Sequence, residues 1–172
     1  MFVSRFSNPE LRSGNYAAVR VSLGTPKWPL GYQVVGEVKY LMPFGLLGAN
    51  VRKDNFERLY RQRLDAYGPE KIAAVLSRFE NLGKPVVLLC YEDVRKPDDW
   101  CHRTVFAQWW FEQTGEIVDE LYDPTTPKIA TMPTPTSSIK TESQKRREEA
   151  AKKKAEALVR QREMDAMQIK MF

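Results

Sequence analysis

The chain has 172 residues, 42% of them hydrophobic and 28% charged, which supplies a core for one domain plus appendages and excludes wholesale disorder. No run of about 18 apolar residues is present, so no membrane span is expected, and the opening MFVSRFSNPELR lacks the apolar stretch of a secretory leader. The net charge of +5 sits mostly at the C-terminus, where Lys140 to Phe172 carries ten Lys/Arg against six Asp/Glu, so no strongly basic groove is expected in the body.

Ala17 to Gly24, AAVRVSLG, combines β-branched residues with a glycine break and predicts a buried strand. The loop PKWPLGY follows, stiffened by Pro26 and Pro29, with Lys27 and Trp28 between them. Gln33 to Leu41 predicts a second short strand, weakened by Gly36. MPFGLLGAN is turn-like at its glycines, and the phosphate-binding patterns GxGxxG and GxxxxGK are absent from the chain.

Helical spacing then takes over. DNFERLYRQRLDAYG offers Asp54 as N-cap, an apolar face of Phe56, Leu59, Tyr60 and Leu64, and Gly68 as a stop. PEKIAAVLSRFENLG begins with Pro69 in a first-turn position, faces the core with Ile72, Val75, Leu76 and Phe79, and ends at Gly83. KPVVLLCYE is the strongest strand, because Val86 to Leu89 is apolar without interruption, as expected when both faces are covered. The polar loop DVRKPDDW leads to a helix over CHRTVFAQWWFEQTG that stops at Gly115, and EIVDELY reads as a last strand. Phe106, Trp109 and Trp110 fall at helical spacing and point to core packing rather than base stacking. Strand, helix and strand in that order imply a right-handed parallel crossover, hence an α/β fold with a mostly parallel sheet.

Asp123 to Lys140, DPTTPKIATMPTPTSSIK, is a Pro/Thr-rich linker: Pro124, Pro127, Pro133 and Pro135 each remove a backbone donor. Residues 141–172 contain no Gly or Pro and predict a charged helical tail, solvated or docked on an acidic partner. The expected organisation is therefore a domain over 1–122, a linker over 123–140 and the tail. Two cysteines build no disulfide framework, which fits a reducing, cytoplasmic setting.

Ligands of open α/β sheets gather outside the carboxyl ends of strands, which places the candidate site between Cys90 and Arg103. Cys90, Tyr91 and Glu92 leave the strongest strand, Asp98 or Asp99 would cap the next helix, and Cys101, His102 and Arg103 would occupy its first turn. A helix N-terminus and the Arg103 fork attract a phosphate or carboxylate, in competition with a salt bridge from Arg103 to a neighbouring acid. The same setting favours a thiolate at Cys101 as nucleophile, with His102, the only histidine, moving protons. Cys90 reads first as a packed hydrophobe. Tyr60, Arg63, Lys27 and Trp28 complete the ligand-binding candidates. No metal is expected: consecutive helical residues diverge by about 100°, which separates Cys101 from His102, and the C-x2-C spacing is absent. A Cys90–Cys101 disulfide is not expected in the cytoplasm, and the sequence leaves the cofactor open.

PVVLLCYE followed by CHRTVFAQWW resembles the DUF488 family (domain of unknown function 488), with an apolar strand ending in Cys, an acidic residue nearby, and Cys-His-Arg opening a helix. SRFSNPEL and FERLYRQRLDAYG look like that family's opening segment and its Tyr/Arg-bearing helix, so the resemblance spans Met1 to Tyr122. It implies a compact Rossmann-like α/β domain whose site is the Cys-His-Arg stretch. The family has no settled activity. Its proposed links to nucleotide and nucleic-acid metabolism imply an enzyme acting on a nucleotide, nucleoside or nucleic-acid end. The alternative is a non-catalytic module that binds phosphate or nucleic acid and is tethered by its basic tail.

Overall fold

Among the described residues of a computed structural model, 1–48, 51–97 and 99–127, the chain forms five strands and three α-helices. In chain order these are β1 (Phe2–Arg5), β2 (Ala17–Arg20), β3 (Val34–Glu37), α1 (Lys53–Tyr67), α2 (Pro69–Glu80), β4 (Val86–Cys90), α3 (His102–Thr114) and β5 (Asp119–Glu120). Short 3-10 helices occupy Pro9–Ser13 and Lys39–Leu41. The described residues all fall within a single unit, Met1–Ile129. Asp98, the linker from Lys128 onward and the expected tail over 141–172 lie outside the described residues.

The sheet runs β3-β2-β4-β1-β5, and every pairing is parallel. All five residues of β4 are buried, which explains its unbroken apolar sequence: it lies between β2 and β1, with Leu88 opposite both Val19 and Val3. Alternation along β4 divides the core. Val86 and Leu88 pack with Phe56, Tyr60, Leu64, Ile72, Leu76, Phe106 and Trp109, so all three α-helices cover one face. Val87 and Leu89 pack instead with Phe6, Leu11 and Leu121, and with Tyr16, Leu30 and Tyr32 around them. The second face is thus covered by the short Pro9–Ser13 3-10 helix and the loop before β3 rather than by an α-helix.

Helix boundaries follow local chemistry, with one departure from expectation. Asp54 is not the N-cap of α1; Arg52 holds that position, and Asp54 sits in the first turn paired with Arg52 at 3.2 Å. A carboxylate there still favours the positive helix end. Gly68 adopts φ 77°, and this left-handed step turns α1 directly into Pro69 of α2. The expected face of α2 is buried at Ile72 and Leu76, with Val75 and Phe79 partly buried. Gly36, which weakens the sequence signal for β3, has a packing reason: a Cβ there would lie 2.5 Å from the Phe79 ring. In α3 the aromatic residues are core, as expected, and Trp109 donates its indole N–H to Asp65 at 2.7 Å.

No strand is predicted at Phe2–Arg5, yet β1 occupies the sheet between β4 and β5. A four-residue strand containing Ser and Arg carries no apolar run. Its Ser4 is buried because Asn8 donates to the hydroxyl at 3.0 Å. Contacts also continue past the expected boundary at Tyr122: Arg5 and Arg95 pair with Asp123 at 2.7 and 3.2 Å, and Arg95 donates to the Thr125 carbonyl at 2.6 Å. Among the described residues, no helix is long and apolar enough to cross a membrane.

Candidate functional site

From β2 the chain proceeds to β3 at one sheet edge; from β4 it proceeds past β1 to β5 at the other. Neighbouring strands whose outgoing connections part in this way leave a crevice at their carboxyl ends. A cavity of about 330 Å³ occupies it, lined by Ser22, Leu23 and Gly24 after β2 and by Cys90, Tyr91 and Glu92 at the end of β4. Phe56 of α1, Trp100 before α3, and Pro43 and Leu47 supply apolar walls, with the Phe56 and Trp100 ring centroids 4.9 Å apart. Cys101 and His102 complete the lining.

The start of α3 differs from the predicted one, and this difference creates the site. Cys101 is the N-cap, in extended conformation (φ −145°, ψ 147°), and His102 is the first helical residue. The 100° divergence expected between consecutive helical residues therefore does not apply. Cys101 Sγ lies 3.6 Å from His102 Nδ1, and Cys90 Sγ lies 3.7 Å from the same nitrogen. All three donor atoms fall within 4.8 Å of one another, and all three residues are buried. The expected separation of Cys101 from His102 is thus overturned. Neither does Asp99 cap α3; its carboxylate pairs with Lys96 at 3.3 Å, while Thr104 donates its hydroxyl to the Cys101 carbonyl.

Hydrogen bonds set the protonation of the imidazole. His102 Nε2 lies 3.0 Å from the Val21 carbonyl, which only accepts, so Nε2 carries the proton and the neutral ring presents a lone pair at Nδ1 to the two sulfurs. Tyr60 supports the ring edge-on, centroids 5.7 Å apart, and donates its own hydroxyl to the Leu41 carbonyl. On the opposite side, Cys101 Sγ donates to Glu92 Oε2 at 2.9 Å.

The two thiols are inequivalent. The hydrogen bond with Cys101, burial and the nearby Glu92 push Cys90 far above the ordinary thiol range. Burial opposes ionisation of Cys101, but the hydrogen bond from Cys90 and the charge of Arg103 bring its thiol down. Burial likewise opposes ionisation of Glu92, and the thiol hydrogen bonds outweigh it, holding the carboxyl below its usual range. A thiolate and a carboxylate 2.9 Å apart repel, so Cys101 and Glu92 share one proton between them.

The sequence candidates thus separate into groups. Cys90, Glu92, Cys101 and His102 converge on the cavity floor. Trp28 reaches the rim, its ring 5.9 Å from that of the lining Tyr91, and Lys27 beside it is exposed. Tyr60 stands behind His102 with its hydroxyl spent, and Arg63 approaches the Met42 carbonyl at 3.5 Å. Arg103 faces elsewhere: Nε and Nη2 reach the Glu120 carboxylate at 3.2 and 2.9 Å, and Nη1 donates to the Glu92 carbonyl at 2.9 Å. Its side chain is fully buried, and no Lys or Arg lines the cavity. Sequence reasoning did not find Phe56, Trp100 and Tyr91 as walls, the Val21 carbonyl or Glu120. Of these Tyr91 and Trp100, both inside the stretch from Cys90 to Arg103, carried a signal. Compared with known proteins, the chain matches no family model, no curated protein and no solved structure.

Proposed function

We propose that the protein is an enzyme acting on a nucleoside, nucleotide or nucleic-acid end, and that it engages the base rather than the phosphate. The observation that carries this reading is the cavity's composition: aromatic and aliphatic walls around a floor of two thiols, an imidazole and a carboxylate. Such a pocket suits a flat, uncharged, hydrogen-bonding ring, whereas a phosphate finds no guanidinium or ammonium in its wall. The chemistry belongs to the cluster rather than to Cys101 alone, with Glu92 as the group that exchanges protons with the substrate and His102 holding the two thiols in place. The resemblance to the DUF488 family is part of this proposal, and two free cysteines support a cytoplasmic setting.

The test is calorimetric titration with nucleosides, the matching nucleotides and ribose 5-phosphate, followed by mass spectrometry of each nucleoside after incubation. Nucleosides and nucleotides should bind within about tenfold of each other, a difference of roughly 1.4 kcal/mol, and ribose 5-phosphate more weakly. A turned-over nucleoside should show a mass change that Glu92→Gln abolishes without abolishing binding. Binding of ribose 5-phosphate equal to that of the nucleotide, with none of the nucleoside, would overturn the base-directed reading. Loss of nucleic-acid binding on removal of residues 141–172 alone would favour the tethered module.

A further inference from the structure

We propose that Cys90 Sγ, Cys101 Sγ and His102 Nδ1 bind a zinc ion, with its fourth position open to the cavity beside Glu92. Its catalytic use rests on the function proposed above; its binding does not.

Geometry is the first support. Tetrahedral zinc with bonds of about 2.3 Å to sulfur and about 2.0–2.1 Å to nitrogen places each sulfur roughly 3.6 Å from the nitrogen. The two sulfur–nitrogen separations here are 3.7 and 3.6 Å. With the Cys101 thiol hydrogen-bonded to Glu92, two sulfurs still converge on the single Nδ1 lone pair, and a cation between them takes all three donor atoms at once.

The surroundings match in kind. Zinc-binding histidines donate their second ring nitrogen to a carbonyl or carboxylate, which fixes the tautomer and raises ligand basicity. Here the Val21 carbonyl takes the Nε2 proton and leaves Nδ1 as the donor. The ligands sit on rigid elements, Cys90 closing β4 and Cys101 with His102 opening α3. The three residues are 2–5% exposed, and no Lys or Arg lines the cavity to neutralise the thiolates. Two thiolates and a neutral imidazole cancel the dication's charge, and both thiol protons leave to solvent on binding.

Donor softness selects the metal. Two sulfurs and one imidazole favour zinc over magnesium or calcium, and two cysteines are too few for an all-thiolate iron–sulfur cluster. Three protein ligands with a cavity at the fourth position describe a catalytic rather than a structural zinc site. A water there gives its proton to the Glu92 carboxylate and remains on the ion as hydroxide, and that assigns Glu92 a reason to stand beside the ligands without being one.

The decisive experiment uses the full chain, purified under reducing conditions, stripped with chelator and titrated with zinc and then with cobalt(II). One zinc per chain should bind, and cobalt should show thiolate-to-metal charge transfer with the visible bands of a tetrahedral ion. Cys90→Ser, Cys101→Ser and His102→Gln should each weaken zinc by about 100-fold or more, and Glu92→Gln by no more than about tenfold. The wild-type cobalt spectrum decides the matter even if a ligand variant fails to fold. Absence of stoichiometric zinc, or a cobalt spectrum without thiolate bands, overturns the metal site. Nucleoside titration of the same zinc-free protein separates the two proposals: nucleosides that bind a chain unable to hold zinc remove only the ion, and zinc without nucleoside binding removes only the function.

Discussion

His102 and Arg103 are consecutive, yet they serve two regions built on opposite principles. On the Arg103 side, cations and anions are matched: Arg103 with Glu120, and Arg5 and Arg95 with Asp93 and Asp123. Every one of those charges has a partner, so the region ties β1, β5 and the segment after β5 together and leaves little to offer a ligand. On the His102 side, two sulfurs, a nitrogen lone pair and a carboxylate converge with no cation lining the cavity. Paired charge marks structure here, and converging donors without a counter-ion mark the site.

The comparison breaks most visibly if Arg103 is removed. Arg103→Met keeps volume but leaves Glu120 and the Glu92 carbonyl without their donor. Removing one partner of a buried pair costs roughly 3–5 kcal/mol, and Glu120, whose side chain is 32% exposed, places this case near the lower figure. Denaturant unfolding should therefore show a loss of about 3 kcal/mol. Nucleoside affinity of the folded fraction should change by less than about twofold, roughly 0.4 kcal/mol. A tenfold loss of affinity with stability intact would return Arg103 to the anion-binding role.

Asp93 probes the same paired region through pH. The Arg95 hydrogen bond, with the charges of Arg5 and Arg95, holds its carboxyl at about 2 despite burial, against an ordinary value of 3.8. A depressed folded-state pKa gives stability that is fully present above about 4 and is lost as pH falls through about 2. Its worth is about 1–2 kcal/mol, less than full linkage because Arg5 and Arg95 remain in contact with water. Asp93→Asn should lower stability by that amount at neutral pH, and the gap from wild type should close between about pH 4 and pH 2. A gap that persists unchanged at pH 2 would show that the loss arises from packing rather than charge.

Chain endings sharpen the point with a smaller effect. A chain ending at Tyr122 loses Asp123 and Thr125, the partners of Arg5 and Arg95, whereas one ending at Pro127 keeps them. The shorter chain should still fold cooperatively but melt at lower stability by about 1 kcal/mol, the scale of a partly exposed ion-pair network. Equal melting of the two would mean that the segment after β5 contributes nothing to the body.

What could be read beforehand follows from the range of the interactions. β4 was legible because burial on both faces writes itself as VVLLC, and α1 to α3 because their apolar spacing is local. β1 was not, because its burial depends on Asn8 and on strands far along the chain, whereas the last strand expected in EIVDELY is present but only two residues long, Asp119–Glu120. At the site, sequence placed Cys90, Glu92, Cys101 and His102 in one stretch. It misjudged how Cys101 and His102 point, since an N-cap has extended rather than helical dihedrals. Glu120 lies 17 residues beyond Arg103, and the Val21 carbonyl is backbone just past the end of β2. Neither has a signature in the residues around the motif.

The smallest stability change should come from Trp28, and it sharpens the comparison from the cavity's side. Its ring is 46% exposed and touches the site only edge-on through Tyr91, so Trp28→Ala should cost less than about 0.5 kcal/mol of folding stability. A base entering over Tyr91 can stack on that ring, and such stacking is worth roughly 1–3 kcal/mol per base. Nucleoside affinity should therefore fall by about tenfold, taking the lower part of that range for a half-exposed ring. Lys27→Ala, an exposed charge beside it, should weaken only nucleotides, and only at low salt. The pattern to measure is a stability that hardly moves with an affinity that does, the reverse of Arg103→Met. If Trp28→Ala leaves both unchanged, the aromatic rim plays no part in recognition, and the ligand is held by the Phe56 and Trp100 walls alone.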